Sequence, residues 1–93
     1  MSGTCQVLGD VDAESAPRVA TQLHAEIDRA RDPIVVADCS GVTFMDSAGF
    51  HLLVDATAYA SARGHSLVIR NMSRSCDRLL GLCDRDHLLT IDA

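Results

Sequence analysis

Apolar residues fall in short blocks along this chain, separated by turn-forming residues. Thr4 to Leu8 reads as a short strand and Gly9 to Asp12 as a turn. Ala16, Val19 or Ala20, Leu23, Ile27 and Ala30 recur at helical spacing, which predicts a helix with one apolar face. Asp12 or Ser15 marks its start. Pro17 falls in the first turn, where a missing N–H costs little, and Asp32-Pro33 stops it. Ile34 to Ala37 is apolar without alternation, the pattern of a strand covered on both faces. A second helix is expected from about Ser47 to Arg63, on the spacing of Leu52 or Leu53, Ala56, Tyr59 or Ala60 and Arg63, with Gly64 as its stop. Ser66 to Arg70 is the next strand. Ser73 or Ser75 can cap a third helix through Leu82 that buries Cys76, Leu79, Leu80 and Cys83, and Leu88 to Ile91 adds a last strand. The predicted order is β-α-β-α-β-α-β, an α/β fold. Crossover helices favour parallel inner strands with right-handed connections.

Composition narrows the function classes. The 93 residues suffice for one domain spanning 1–93, with no repeat, linker or low-complexity tract. Apolar residues make up 47%, more than a disordered chain carries. The aromatics are Phe44, Phe50 and Tyr59, so the core must be aliphatic. Eight basic residues, all Arg, face 13 acidic ones, and the net charge of −5 argues against nucleic acid and against an anionic membrane surface. No apolar run approaches the ~20 residues that span a bilayer, so no membrane insertion is expected. No signal-peptide pattern opens the chain, which points to the cytoplasm. Cys5, Cys39, Cys76 and Cys83 form no C-x-x-C pair and read as reduced thiols acting as small apolar residues. His24, His51, His65 and His87 share no ligand spacing, so neither a metal nor a resident cofactor is expected.

The candidate chemistry centres on Ser47, which sits where a buried strand should give way to a helix. A helix start presents free N–H groups and partial positive charge. Three readings follow: Asp46 or Ser47 caps the helix, Ser47 is a nucleophile, or Ser47 accepts a phosphate. The nucleophile-elbow pattern G-x-S-x-G is not met, because Met45 replaces the first Gly. His51 lies four residues on, on the same helix face, but a hydrolase also needs an orienting acid and an oxyanion hole. Asp38 ends the buried strand and can accept loop N–H groups, while Gly41 is expected in a turn with positive φ. Gly49 gives close access to Ser47 or permits tight packing. Asp10 and Asp12 form an acidic turn that can also cap the first helix.

The stretch Asp38-Cys39-Ser40-Gly41-Val42-Thr43-Phe44-Met45-Asp46-Ser47-Ala48-Gly49 resembles the signature of the STAS domain. Within that family it resembles the bacterial anti-anti-sigma factors, also called anti-sigma factor antagonists. Gly9-Asp10-Val11-Asp12 with Ser15-Ala16-Pro17 resembles the acidic turn before the family's first helix. The resemblance implies a mixed sheet with largely parallel inner strands. It implies that Ser47 is a phosphoacceptor and that Asp10, Asp12, Asp46, Ala48, Gly49 and His51 meet a partner. By the same resemblance, that partner is an anti-sigma factor of the histidine-kinase-like ATPase fold. It would phosphorylate Ser47 with its own ATP and Mg²⁺, and a PP2C-type phosphatase would reverse the step. The chain itself would perform no chemistry. The alternative that the resemblance implies is a STAS subunit of a larger assembly, such as a stress-signalling complex or the cytoplasmic part of a transporter.

Two positions depart from the family form. Ala48 replaces a second small hydroxyl and leaves Ser47 as the single acceptor, and His51 stands where Gly is frequent. The first edge strand and the C-terminal helix of the family pattern also look abbreviated here. That implies an exposed sheet edge able to pair with a second copy.

Overall fold

The computed structural model describes residues 3–92. Four strands and three helices alternate: β1 (Gly3–Val11), α1 (Ala16–Arg29), β2 (Ile34–Met45), α2 (Ser47–Ala62), β3 (Ser66–Arg70), α3 (Arg74–Cys83) and β4 (Thr90–Asp92). The strands form one sheet in the order β1-β2-β3-β4, and every neighbouring pair is parallel. The described sheet is therefore wholly parallel rather than mixed.

Strand order matches chain order without reversal, and the helices lie together over one face. Inward residues alternate along each strand: Cys5, Val7 and Val11 from β1, Val35, Ala37 and Cys39 from β2, Leu67 and Ile69 from β3 are all buried. They meet Val19, Leu23 and Ile27 of α1, Leu53, Ala56 and Ala60 of α2, and Cys76 and Leu80 of α3. The expectation that Ile34 to Ala37 is covered on both faces is corrected by this arrangement. Val35 and Ala37 are buried, but Ile34 is 50% exposed and Val36 half-buried. A continuous apolar run cannot distinguish a strand covered on both faces from one covered on a single face. On the uncovered face the register aligns Thr4, Val36, Val68 and Thr90 in one row, and Gln6, Asp38, Arg70 and Asp92 in the next. An Arg70–Asp92 ion pair at 2.7 Å lies in that polar row.

The strands also run further than their apolar cores. β1 continues through the expected Gly9–Asp12 turn to Val11, and β2 continues past Asp38 to Met45. Asp38 therefore sits within β2 rather than at its end. Register shifts between Gln6 and Leu8 and between Gly9 and Asp10 let β1 follow β2. Gly9 has φ +78°, a conformation that costs glycine little, and it lies at the second shift. Gly41 is not a positive-φ turn residue. It lies in β2 opposite Leu8, and a Cβ there would stand 2.4 Å from the Leu8 Cδ2, so the missing side chain admits Leu8 across the sheet. The last strand is shifted too: Leu88 and Leu89 precede β4 as loop. Their N–H groups are held by the buried carboxylate of Asp84 at 2.7 and 3.0 Å.

Candidate functional site

The long strands bring the starts of α1 and α2 to the same edge of the molecule. Val11 pairs with Met45, and the Asp46 N–H reaches the Val11 carbonyl at 3.3 Å. Asp10 accepts from the Thr43 hydroxyl at 2.8 Å, a second tie between the acidic segment and β2. Asp10, Asp12 and Asp46 are thereby gathered around one corner.

At both of these starts an aspartate accepts from backbone N–H groups. At α1, Asp12 Oδ1 accepts from the N–H groups of Ser15 (3.0 Å) and Glu14 (3.1 Å), and Ser15 Oγ accepts from the Asp12 N–H at 3.0 Å. These bonds, led by the one from Ser15, hold the Asp12 carboxyl below its ordinary range. At α2, Asp46 is extended and its Oδ1 accepts from the Ala48 N–H at 2.9 Å. Asp46 is the cap, so Ser47 is the first helical residue. Its side chain is exposed, and among the described residues no protein group bonds its hydroxyl.

His51 lies one turn further on the exposed face, and its Nδ1 is 2.8 Å from the Ser47 carbonyl oxygen. A carbonyl oxygen only accepts, so Nδ1 carries the proton and Nε2 is left free. The ring is thus engaged with the Ser47 backbone, not with its hydroxyl. A serine–histidine proton relay needs the hydroxyl bonded to the ring.

Gly49, expected beside Ser47 at the surface, is buried. A Cβ there would lie 2.5 Å from Met45 Cγ and 3.0 Å from the Val11 carbonyl oxygen. Its bareness lets α2 press onto the strand ends, the second of the two roles its sequence allowed. Ala48 is half-buried. Asp38 accepts from the Ser40 N–H (3.0 Å) and from Asn71 Nδ2 (3.2 Å), which lowers its pKa. It lies on the uncovered face, in a structural role. The Cys39 thiol is pushed up to about 12 by burial, which makes it an apolar filler rather than a nucleophile. Cys5 and Cys76 are buried free thiols as well.

Beside Ser47 runs a groove of about 460 Å³ between α1 and α2. Ala16, Pro17 and Ala20 line it from α1, and Ser47, Leu52 and Asp55 from α2. His51 and His24 complete its rim. Sequence reasoning did not find this groove. The signal was faint: Asp55 follows His51 by four residues and Ser47 by eight, so all three share a helix face.

A family profile described as "Mlab, STAS domain" matches residues 2–90. The chain belongs to the STAS family. Two solved structures share the STAS fold with it. One is the anti-sigma factor antagonist SpoIIAA in its unphosphorylated form, at TM-score 0.73 and 13% identity, covering 97% of this chain and 78% of that one. The other is the STAS domain of a SulP transporter from Vibrio cholerae, at TM-score 0.71 and 14% identity, covering 97% of this chain and 72% of that one. At such identities the likeness is one of fold. Among the described residues, no helix of this STAS domain is long and apolar enough to cross a membrane.

Proposed function

We propose that this chain is an anti-sigma factor antagonist whose binding surface is switched at Ser47. The observation that carries this reading is the division of labour at the start of α2: Asp46 caps the helix and leaves the Ser47 hydroxyl exposed and unbonded. The unphosphorylated form binds an anti-sigma factor of the histidine-kinase-like ATPase fold and so releases a sigma factor. That kinase transfers the γ-phosphoryl group of its Mg²⁺-bound ATP to Ser47, and a PP2C-type phosphatase removes it. The antagonist contributes the acceptor and the surface, and the nucleotide belongs to the partner.

A phosphate adds about −1.5 to −2 charges at pH 7. At the first residue of α2 that charge meets free N–H groups and the positive helix end, so the fold tolerates it. On the binding surface it places a bulky, strongly hydrated group beside Asp46, where a partner must dock. The fold persists while the interface fails. The test is reconstitution with a histidine-kinase-like anti-sigma factor from the same host. Capture by Ser47→Ala but not by Ser47→Asp, with a one-phosphate mass shift on the unmodified chain in ATP, is the expected result. Equal binding by both variants with no phosphate on Ser47 overturns it.

The likeness to a transporter STAS domain, together with a β1 edge that has no partner strand among the described residues, favours a second reading as a subunit of a larger assembly. That reading predicts a stable high-order complex whose formation ignores the residue at 47.

A further inference from the structure

We infer that the α1–α2 groove receives one amphipathic helix of a protein partner, with an aliphatic side chain on its floor and an arginine bridging His51 and Asp55. The inference rests on the reading of the Ser47 surface as a binding surface, and it names the chemistry of what binds there.

The floor is apolar and shallow because the residues under it are small. Ala16 and Ala20 of α1 face Leu52 of α2. A groove of this volume has room for one or two aliphatic side chains. Both walls are helices, whose backbone groups bond within the helix. No strand can therefore be added along them, whereas a helix brings a backbone already satisfied within itself. From Ser47 to Asp55 the groove extends eight residues along α2, about 12 Å, or roughly two turns of a partner helix.

The rim selects the charge. His51 directs Nδ1–H at the Ser47 carbonyl, so Nε2 is the ring atom left to a partner, an acceptor whenever the imidazole is uncharged. Asp55 is an exposed carboxylate one turn along the same face, a rise of about 6 Å. Guanidinium carries five N–H donors in a fixed fork and accepts nothing, which suits two acceptors at that spacing. The surroundings agree in sign. Asp10, Asp12 and Glu14 line the adjoining recess with Arg18 as its one cation. The described ion pairs are Arg29–Glu26, Arg63–Asp28 and Arg70–Asp92, and none neutralises these carboxylates, Asp46 or Asp55. The charged groups lining the groove and its neighbouring recess are mostly carboxylates, complementary to a basic helix.

This placement also explains how a phosphate on Ser47 blocks binding despite a cationic partner. The arginine lies at the Asp55 end. The phosphate lies at the other end, where the partner must bury an aliphatic group, and desolvating a dianion there is costly.

The probe is an alanine-based helical peptide of about 18 residues, long enough to be helical alone, with Leu and Arg four residues apart. It is titrated into the full chain, labelled with ¹⁵N. Saturable shifts confined to Ala16, Ala20, His51, Leu52 and Asp55 are expected. Affinity should fall about fivefold or more in Asp55→Asn and in His51→Ala, the loss of one charge-assisted hydrogen bond. It should fall similarly when the peptide Arg becomes Glu or its Leu becomes Ala. Spectra of both variants establish that they are folded. Shifts at the β1 edge instead, equal shifts from all peptides, or no shifts up to ~5 mM overturn the inference, since even weak recognition registers at that concentration. The outcome is independent of the switch. Groove binding with no phosphate on Ser47 in the host sinks the phosphorylation reading and leaves the groove standing, while a phosphorylated Ser47 without groove binding does the reverse.

Discussion

At the start of α2 the carboxylate of Asp46 accepts the Ala48 N–H, and the hydroxyl next to it is left to solvent. The two residues should therefore respond differently to substitution. Asp46→Ala removes a cap and should cost about 1 kcal/mol in urea denaturation. Ser47→Asp should leave stability within ~1 kcal/mol of the parent, because the helix start favours negative charge. A Ser47→Asp variant that unfolds would place the hydroxyl in a structural role and end the switch account. The other residue-scale expectation concerns pH. Asp12 and Asp38 have carboxyl groups held below their ordinary range, by the Ser15 and Ser40 N–H groups respectively. A carboxyl lowered in the folded state contributes stability above its unfolded value of about 4, and that contribution disappears as pH falls through the folded value. Melting temperature should drop on acidification below pH ~4, and Asp12→Asn should flatten the drop. Which aspartate caps which helix was half legible: Asp12 or Ser15 was open, as was Asp46 or Ser47. The second pair resolves in favour of Asp46, whose charged oxygen is the stronger acceptor; in the first, Ser15 holds the cap position and Asp12 braces the turn before it.

Elements pack through residues whose period was visible. Leu23 and Ile27 of α1, Leu53 and Ala56 of α2, and Leu80 of α3 are buried where helical spacing put them or their neighbours. α3 holds the sheet through few such residues, with Cys76 and Leu80 buried and Leu82 69% exposed. Leu80→Ala should cost 2–5 kcal/mol by thermal or chemical denaturation, a burden a domain this small bears poorly. The joint between α1 and α2 was not visible. Tyr59 stacks on His24 with ring centroids 3.9 Å apart, carries Arg63 at 3.5 Å over its ring, and donates to Asp28 at 2.9 Å. Its place in the periodic face of α2 reads as core, yet it serves as a half-buried clamp between two helices. Such pairings span some thirty residues of sequence and leave no local trace.

At the scale of the whole molecule, the described sheet has two unlike edges. β4 is three residues long and offers little to pair with. β1 is nine residues long, bears Asp10 as its only charge, and pairs on one side with β2. A long edge carrying a single charge near its end is a template for another strand. Concentration-dependent self-association is therefore expected in sedimentation velocity, and Gln6→Lys with Leu8→Lys should abolish it. Sedimentation as a monomer at all concentrations would assign the edge no partner in a second copy. The bare sheet face, carrying Val36 and the Arg70–Asp92 pair, left no signal in the sequence.

Local order was written in the sequence: the alternation of strands and helices, the helix stops at Asp32-Pro33 and Gly64, and the signature that places Ser47 at the start of α2. Periodicity, proline and glycine act within a few residues, so a linear reading captures them. The wholly parallel sheet, the single covered face and the full length of β1 and β2 were decided by tertiary structure. Strands extend as far as a neighbour supplies hydrogen bonds, and Gly41 is needed where the Leu8 side chain crosses it rather than for a turn. The α1–α2 groove likewise exists only because two small residues of one helix face Leu52 of another. Its floor depends on which surfaces meet, a quantity no segment of the chain contains by itself.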